Sequence, residues 1–260
     1  MTYESVEFEM AEGVAIVRLN EPASLNALSE RMSAELVDAV ARAQQEARCL
    51  VLGSVGRAFC SGANLTDGGL SLDEPDRDVG AGLETVVNPL LLAIRSSPIP
   101  ILTAVRGAAA GVGCGLALAG DMVIAGQSAV FHLAFSRVGL SPDGGASYFL
   151  TRSIGRVRAM ELMLLGSSVR AGQALEWGLA NRVVDDDQVE AVAVEIAQRI
   201  AAGPRSLSMI RRAAWSAMDA SFEEQLDMER VLQREAGRTE DFVEGVQAFS
   251  EKRPALFRGR

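Results

Sequence analysis

Histidine and cysteine are scarce in this sequence of 260 residues. The single histidine, His132, has no second histidine with which to share a metal ion, and this also weakens any serine–histidine triad. The three cysteines, Cys49, Cys60 and Cys114, form no CxxC pair, so neither a zinc site nor a disulfide framework is expected. Reduced thiols of this kind are typical of a cytoplasmic protein.

The sequence also lacks long apolar runs and a surplus of basic residues. No apolar run reaches the ~18 uncharged residues of a membrane span, and residues 1–10 carry three glutamates without the basic region of a signal peptide. The net charge of −9 makes nucleic acid a poor partner. We therefore expect a cytoplasmic protein that binds neither a membrane nor nucleic acid.

Apolar periodicity predicts an α/β fold. Residues 29–47 have helical spacing with Ser29 as a plausible N-cap. Short apolar runs separated by helical segments predict buried strands in a mostly parallel sheet, at residues 14–19, 49–54, 99–105 and 122–125. Beyond residue 184 the pattern is wholly helical, with joints at residues 203–204 and 220–221.

Two glycine-containing segments follow predicted strands. Residues 107–116, GAAAGVGCGL, open an apolar helix, and residues 57–65, RAFCSGANL, form a loop at the end of another strand. Their small residues let backbone amides approach a ligand, which suits a developing oxyanion. Tight packing of a helix on a sheet would use the same residues, and each segment alone leaves both interpretations open.

A third segment, SPDGG at residues 141–145, places Asp143 at a turn before a helix predicted over residues 146–154. Asp143 is a natural N-cap for that helix. Spacing alone favours that structural role; the functional interpretation is a general base directed into a cleft, and the two roles are compatible.

Together these segments resemble the crotonase (enoyl-CoA hydratase/isomerase) superfamily, as do NEPASLNAL at residues 20–28 and EKRPALF at residues 251–257. The resemblance implies a spiral of ββα units over residues 1–203 and a helical trimerisation region over residues 204–260. It implies an oxyanion hole formed by the amides of Ala63 and Val112. It further implies coenzyme A contacts from Ala23, Ser24, Leu25, Ser61, Asn64 and Leu65, with Phe249 and Lys252 reaching across a subunit boundary. The resemblance implies no metal and no permanently bound cofactor, and a substrate carried as a coenzyme A thioester.

The departures from the family pattern bear on the reaction. The two glutamates with which hydratases of this family add water fall at Gly115 and Phe135, and neither residue can carry a proton. Residues 134–145 and EWGL at residues 176–179 instead resemble a subgroup of double-bond isomerases that includes a ring-epoxide isomerase of phenylacetate breakdown. In that subgroup the catalytic aspartate falls at Asp143, and the small Gly115 is expected to leave room for a ring-bearing acyl group. A related dehalogenase needs a helper histidine, and we interpret His132 as structural.

The resemblance therefore predicts an enoyl-CoA isomerase that is a homotrimer or a dimer of trimers. A hydratase using Asp143 with a second acid such as Glu84 remains an alternative, as does a silent acyl-CoA-binding homologue. We expect the glycine-, aspartate- and serine-rich residues 65–82 to form a lid or a wall of the acyl pocket, with a disordered surface loop as the alternative.

Overall fold

A six-stranded sheet forms the centre of the molecule in a computed structural model that describes residues 3–63 and 76–260. Its strands lie in the order β1-β2-β3-β4-β6-β9, and all neighbours are parallel except the β1–β2 hairpin. The strands are β1 (Val6–Ala11), β2 (Val14–Leu19), β3 (Cys49–Ser54), β4 (Ile101–Val105), β6 (Met122–Gly126) and β9 (Arg182–Val184). The predicted mostly parallel sheet is confirmed.

Ten α-helices lie in the described ranges, and a second, three-stranded sheet has the order β5-β7-β8. Its strands are β5 (Ala108–Ala110), β7 (Val130–His132) and β8 (Ser168–Arg170). The helices are α1 (Glu30–Glu46), α2 (Asn88–Arg95), α3 (Val112–Leu118), α4 (Ala146–Ser153), α5 (Gly155–Leu165), α6 (Ala171–Trp177), α7 (Val189–Ala201), α8 (Ser206–Ser216), α9 (Phe222–Ala236) and α10 (Glu240–Glu251). None of the helices in these ranges is long and apolar enough to cross a bilayer.

Alternate residues of the central strands are buried on opposite faces of the large sheet. In β2, Val14 and Ile16 pack with α7, while Ala15 and Val17 join the main core on the other face. Because both faces are covered, the strands are apolar throughout and not alternating. Helix α1 begins as predicted, with the Ser29 hydroxyl accepting the Met32 amide at 3.2 Å.

Helix α8 is fastened to the core by one buried cation. The Arg211 guanidinium donates to Asp121 at 2.7 Å and to the carbonyl of Ile94 at 2.7 Å. The Trp215 indole donates to the other oxygen of Asp121 at 2.6 Å. The domain boundary predicted at residue 203 stays a prediction, and α8 beyond it is bonded to the preceding body.

Candidate active site

The two glycine-containing segments lie side by side. The Cys60 amide donates to the Ala108 carbonyl at 3.0 Å, and the Ala110 amide donates to the Cys60 carbonyl at 2.9 Å. This pairing aligns the loop that ends at Ala63 with β5, immediately before α3. Segments almost fifty residues apart in sequence therefore meet at one place.

The amide of Ala63 points towards β5 and α3. The Gly62 carbonyl accepts the Leu28 amide at 2.8 Å, and a trans peptide directs the following N–H the opposite way. Gly62 has φ 109°, and a Cβ there would lie 3.1 Å from the Ala110 carbonyl oxygen. A side chain is therefore disfavoured at Gly62 both by its backbone conformation and by its contact with Ala110.

The amide of Val112 leaves the first turn of α3. The Gly111 carbonyl accepts the Cys114 amide at 3.0 Å, so the same peptide directs the Val112 N–H away from the helix. The His132 carbonyl holds the Gly111 amide at 3.0 Å. Neither the Ala63 nor the Val112 amide donates to a backbone carbonyl in the described part of the chain. Among the described residues, neither amide therefore has a backbone partner that would compete with an oxyanion.

The turn that carries Asp143 packs directly on α3. A Cβ at Gly144 would lie 2.8 Å from Val112 Cγ2, and a Cβ at Gly115 would lie 1.8 Å from the Gly144 carbonyl oxygen. The expectation that Gly115 leaves room for a bulky acyl group is wrong, because the Gly144 backbone fills that space. Instead, Gly115 allows the turn to bring Asp143 beside Val112.

The Asp143 carboxyl is half-buried and has an unsatisfied oxygen. Its Oδ1 is buried without a hydrogen-bond partner among the described residues, and burial raises the pKa of the Asp143 carboxyl. The N-cap of α4 is Gly145, with φ 72°, and no side chain caps that helix. The N-cap interpretation of Asp143 is therefore wrong; only its backbone carbonyl contributes, accepting the Ala146 amide at 3.0 Å.

Three positions at which a second acid or a helper group was considered differ in their surroundings. The Phe135 ring is 7% exposed, and a Cβ at Gly111 would lie 3.8 Å from its Cζ, so an apolar ring borders the site. His132 Nδ1 lies 2.6 Å from the Ser168 hydroxyl, and burial followed by the charge of Arg137 lowers the pKa of His132. The side chain of Glu84 is exposed on the π-helical turn before α2.

The proposed coenzyme A loops also meet. Ser24 and Ala23 lie in the short 3-10 helix Pro22–Ser24. Ser61 makes two hydrogen bonds to this loop. Its amide donates to the Leu25 carbonyl at 3.0 Å, and its hydroxyl donates to the Ser24 carbonyl at 3.1 Å. Ala23 is exposed, and Ser24, Leu25 and Ser61 are half-buried.

One buried residue that organises these loops was missed from the sequence. The Asn26 carboxamide accepts the Glu21 amide at 2.8 Å and donates to the carbonyls of Val55 and Ala58, each at 2.9 Å. It thereby links the Ala23–Leu25 loop to the loop leading to Ala63. Its position between apolar neighbours was the available signal, since a buried amide needs several partners.

Of the four remaining predicted contacts, two lie outside the described residues and two lie at the C-terminal end of α10. Asn64 and Leu65 lie outside the described residues, as does most of the segment predicted over residues 65–82. Phe249 is 88% exposed and Lys252 is exposed at the end of α10. No hydrogen bond or ion pair among the described residues joins these two to the loops above.

Comparison with known proteins gives consistent results. The model of the enoyl-CoA hydratase/isomerase family matches residues 9–260. A protein of Rhodobacter capsulatus named "Probable enoyl-CoA hydratase" is 43% identical over the full length of both chains. The 1,2-epoxyphenylacetyl-CoA isomerase of Escherichia coli K12 is 41% identical over 99% of each chain.

A solved structure supports the same assignment. The enoyl-CoA hydratase of Bacillus anthracis is 30% identical, with a TM-score of 0.92 over 99% of this chain and 100% of that one. The predicted crotonase-like α/β fold with a helical C-terminal region is thus confirmed. The chain belongs to the enoyl-CoA hydratase/isomerase family, in the crotonase superfamily, and is an enzyme.

Proposed function

We propose that this enzyme is an enoyl-CoA isomerase that moves a double bond through a thioester enolate, with Asp143 carrying the proton. The Asp143 carboxyl carries this proposal, because its buried Oδ1 has no partner among the described residues. A buried carboxyl without a partner costs free energy in the folded state, and such groups concentrate at functional sites.

The reaction needs two functions from the protein. Removing a proton beside the thioester carbonyl leaves negative charge on the carbonyl oxygen, which the amides of Ala63 and Val112 would hold. Losing one such donor typically costs about 3 kcal/mol of barrier. Asp143 would take the proton from one carbon and return it to another, and its raised pKa makes it a stronger base than an exposed aspartate.

Several contacts favour isomerisation over water addition. The Gly144 backbone occupies the space at Gly115, and an apolar ring stands at Phe135. No second carboxyl is therefore supplied from either position to activate water. A hydratase remains the second candidate because the Rhodobacter capsulatus relative bears that name, and Glu84 would then have to supply the other acid.

The substrate is proposed to be an acyl-coenzyme A ester, with no permanently bound cofactor. Ala23, Ser24, Leu25, Ser61, Asn64 and Leu65 would contact the coenzyme A moiety within one chain. Phe249 and Lys252 would contact it from a neighbouring copy in a homotrimer or dimer of trimers. The name of the Escherichia coli relative supports a ring-bearing acyl group as one substrate class.

A panel of acyl-coenzyme A esters tests the proposal. Each ester is scored separately for double-bond migration, water addition and ring rearrangement. We expect 3-enoyl or ring-epoxide esters to rearrange without net hydration. Water addition as the dominant reaction would establish the hydratase instead, and binding without turnover of any ester would establish a silent homologue.

A further inference from the structure

The last seven residues, 254–260, fold back along α10, and we call them the C-terminal strap. Near its start, the Leu256 amide donates to the Glu244 carboxylate at 2.7 Å. The Phe257 ring then lies against Gly245, where a Cβ would be 3.5 Å from Phe257 Cε1. The strap therefore runs antiparallel to the helix it follows.

The far end of the strap is bonded to the first turn of α10. The amides of Arg258 and Gly259 donate to the Asp241 carboxylate at 2.7 and 2.8 Å. Asp241 is 3% exposed and also accepts the Arg205 amide at 2.8 Å, at the joint between α7 and α8. The strap is thus bonded to α10 at both ends, and its far end is joined through Asp241 to the joint between α7 and α8.

Lys252 lies where the chain reverses from α10 into the strap. Its backbone is left-handed, with φ 54° and ψ 39°, a conformation that residues with a Cβ seldom adopt without support from their surroundings. Before Lys252 in the chain, the support comes from the last turn of α10, where the Phe249 carbonyl accepts the Lys252 amide at 3.3 Å. After Lys252, the support comes from Arg253.

Glu244 holds Arg253 in place. Its carboxylate accepts two parallel bonds from the Arg253 guanidinium, at 2.6 and 2.9 Å, in addition to the Leu256 amide. The hydrogen bond from Arg253, followed by that from the Leu256 amide, lowers the pKa of Glu244 to about 2. The Glu244 carboxylate is therefore charged at every physiological pH. Paired bonds of this kind fix geometry as well as distance.

We propose that Glu244 is a positioning residue that presets Lys252 for the anionic part of the coenzyme A ester. The inference rests on the coenzyme A contact proposed above for Lys252. The lysine ammonium is exposed on a flexible stem, so the fold can preset only the direction in which that stem leaves the backbone. Glu244 sets this direction without touching the ligand, and the Lys252 backbone is already ordered before coenzyme A binds.

The test is Glu244→Gln, which keeps the size of the side chain and removes its charge. The affinity for coenzyme A, measured by calorimetry on the assembled enzyme, should fall about two- to tenfold, as expected when one long side chain loses its preset orientation. Turnover of a saturating 3-enoyl-coenzyme A should stay at the parental kcat, because the chemical step is untouched. Thermal melting checks the fold. Arg253→Gln breaks the same ion pair from its other side and also removes the 2.6 Å bond to Glu251, so it should lose at least as much affinity.

The matched control is Glu240→Gln. Glu240 lies on the same helix and pairs with Arg260 at 2.9 Å, at the end of the strap remote from Lys252. It should leave coenzyme A affinity unchanged. Lys252→Ala should weaken binding, and adding Glu244→Gln to it should cause no further loss, since the positioning acts only through the lysine.

Other outcomes overturn the inference. Parental coenzyme A affinity in Glu244→Gln would show that Glu244 does not act through Lys252. A double variant whose loss of affinity equals the product of the two single losses would show the same. No effect of Lys252→Ala would remove the lysine contact and the positioning role together. Calorimetry with coenzyme A needs no turnover. If the affinities follow the expected pattern but no isomerase activity is found, the proposed reaction is rejected and the positioning role of Glu244 stands.

Discussion

The Asp143 side chain is required for the proposed reaction but makes no contact that stabilises the fold among the described residues. It caps no helix, and its Oδ1 is buried without a partner among the described residues. Burial raises the pKa of its carboxyl, so the folded protein disfavours the ionised form. Ionised Asp143 should therefore reduce the stability of the native state.

The stability of Asp143→Asn should consequently depend on pH relative to the parent. Between the ordinary aspartate pKa of about 3.9 and the raised native value, the native parent binds more protons than its unfolded chain. Its free energy of unfolding therefore falls as pH rises through this window. Urea denaturation should show Asp143→Asn gaining stability over the parent from acid to neutral pH; a relative loss would show that the carboxylate stabilises the fold.

Gly115 is the residue that allows the Asp143 turn to reach α3. In Gly115→Ala the new Cβ would meet the Gly144 carbonyl at 1.8 Å, so the turn must move. Displacing a catalytic group by about 1 Å can cost on the order of 100-fold in rate, and we expect kcat to fall by about that factor. Coenzyme A binding should persist, because the loops at Leu25 and Ser61 are unaffected.

Gly172→Ala is the control for this substitution. Gly172 is helical and exposed in α6, with nothing within 4 Å of a Cβ, so the change should be neutral or stabilising by up to about 1 kcal/mol. Steady-state kinetics and urea denaturation measure both variants. Parental kcat in Gly115→Ala would show that contact with α3 does not position Asp143.

The sequence predicted elements well where the apolar pattern was long. Strands β2, β3, β4 and β6 were recognised as apolar runs, and α1 by its period and its Ser29 cap. The edge strand β1 was missed because only continuous apolar runs were interpreted as strands, whereas Glu7 and Glu9 alternate with its apolar residues, which is the pattern of a strand with one exposed face. Strands β8 and β9 are three residues each, too short for a period.

The candidate site was harder to predict from the sequence than the strands were. Resemblance supplied Ala63, Val112 and Asp143, but their meeting depends on the pairing of Cys60 with Ala109, between segments distant in the chain. The cap at α4 was misassigned to Asp143 because the helix is capped two residues later, at the left-handed Gly145 with φ 72°. Local pattern carries no information on the pairing of segments distant in the chain.

Helix α8 offers a test of how one element is attached. The side chain of Arg211 is 5% exposed and bonded to Asp121 and to three carbonyls. Arg211→Ala should lower the free energy of unfolding by about 3 kcal/mol, since it leaves the half-buried Asp121 carboxylate without its counter-charge and three carbonyls without this donor. Urea denaturation measures the change.

The neighbouring Arg212 is the control for that substitution. Its side chain is 56% exposed and lies 3.7 Å from Glu235, so Arg212→Ala should cost at most about 1 kcal/mol. Equal effects of the two substitutions would show that the Arg211–Asp121 pair does not hold α8 to the core.

Apolar side chains remain exposed over much of one chain. Phe242, Val243 and Val246 form one stripe on α10, each more than half exposed, and Leu164 and Leu165 extend from α5. Patches of this kind mark interaction surfaces in stable proteins. Self-association would cover such patches and could carry Phe249 and Lys252 of one copy to the coenzyme A loops of another.

We therefore expect a trimer or a dimer of trimers in solution, assembled through the helices after residue 203. Sedimentation equilibrium at micromolar concentration should give three or six times the mass of one chain. Phe242→Glu, at a position exposed in one chain, should shift the equilibrium towards smaller species. A monodisperse monomer of the parent protein would contradict both the assembly and the shared coenzyme A site.

The most direct measurement compares the parent and Asp143→Asn for isomerisation of a 3-enoyl-coenzyme A, alongside their affinities for the same ester. An amide cannot accept a proton at neutral pH, and general acid–base catalysis is worth about 100- to 10,000-fold. The account predicts a folded variant that binds the ester with parental affinity and isomerises it at least about 100-fold more slowly. Isomerisation at the parental rate would contradict the account and direct the search for the base to Glu84 or to another carboxylate.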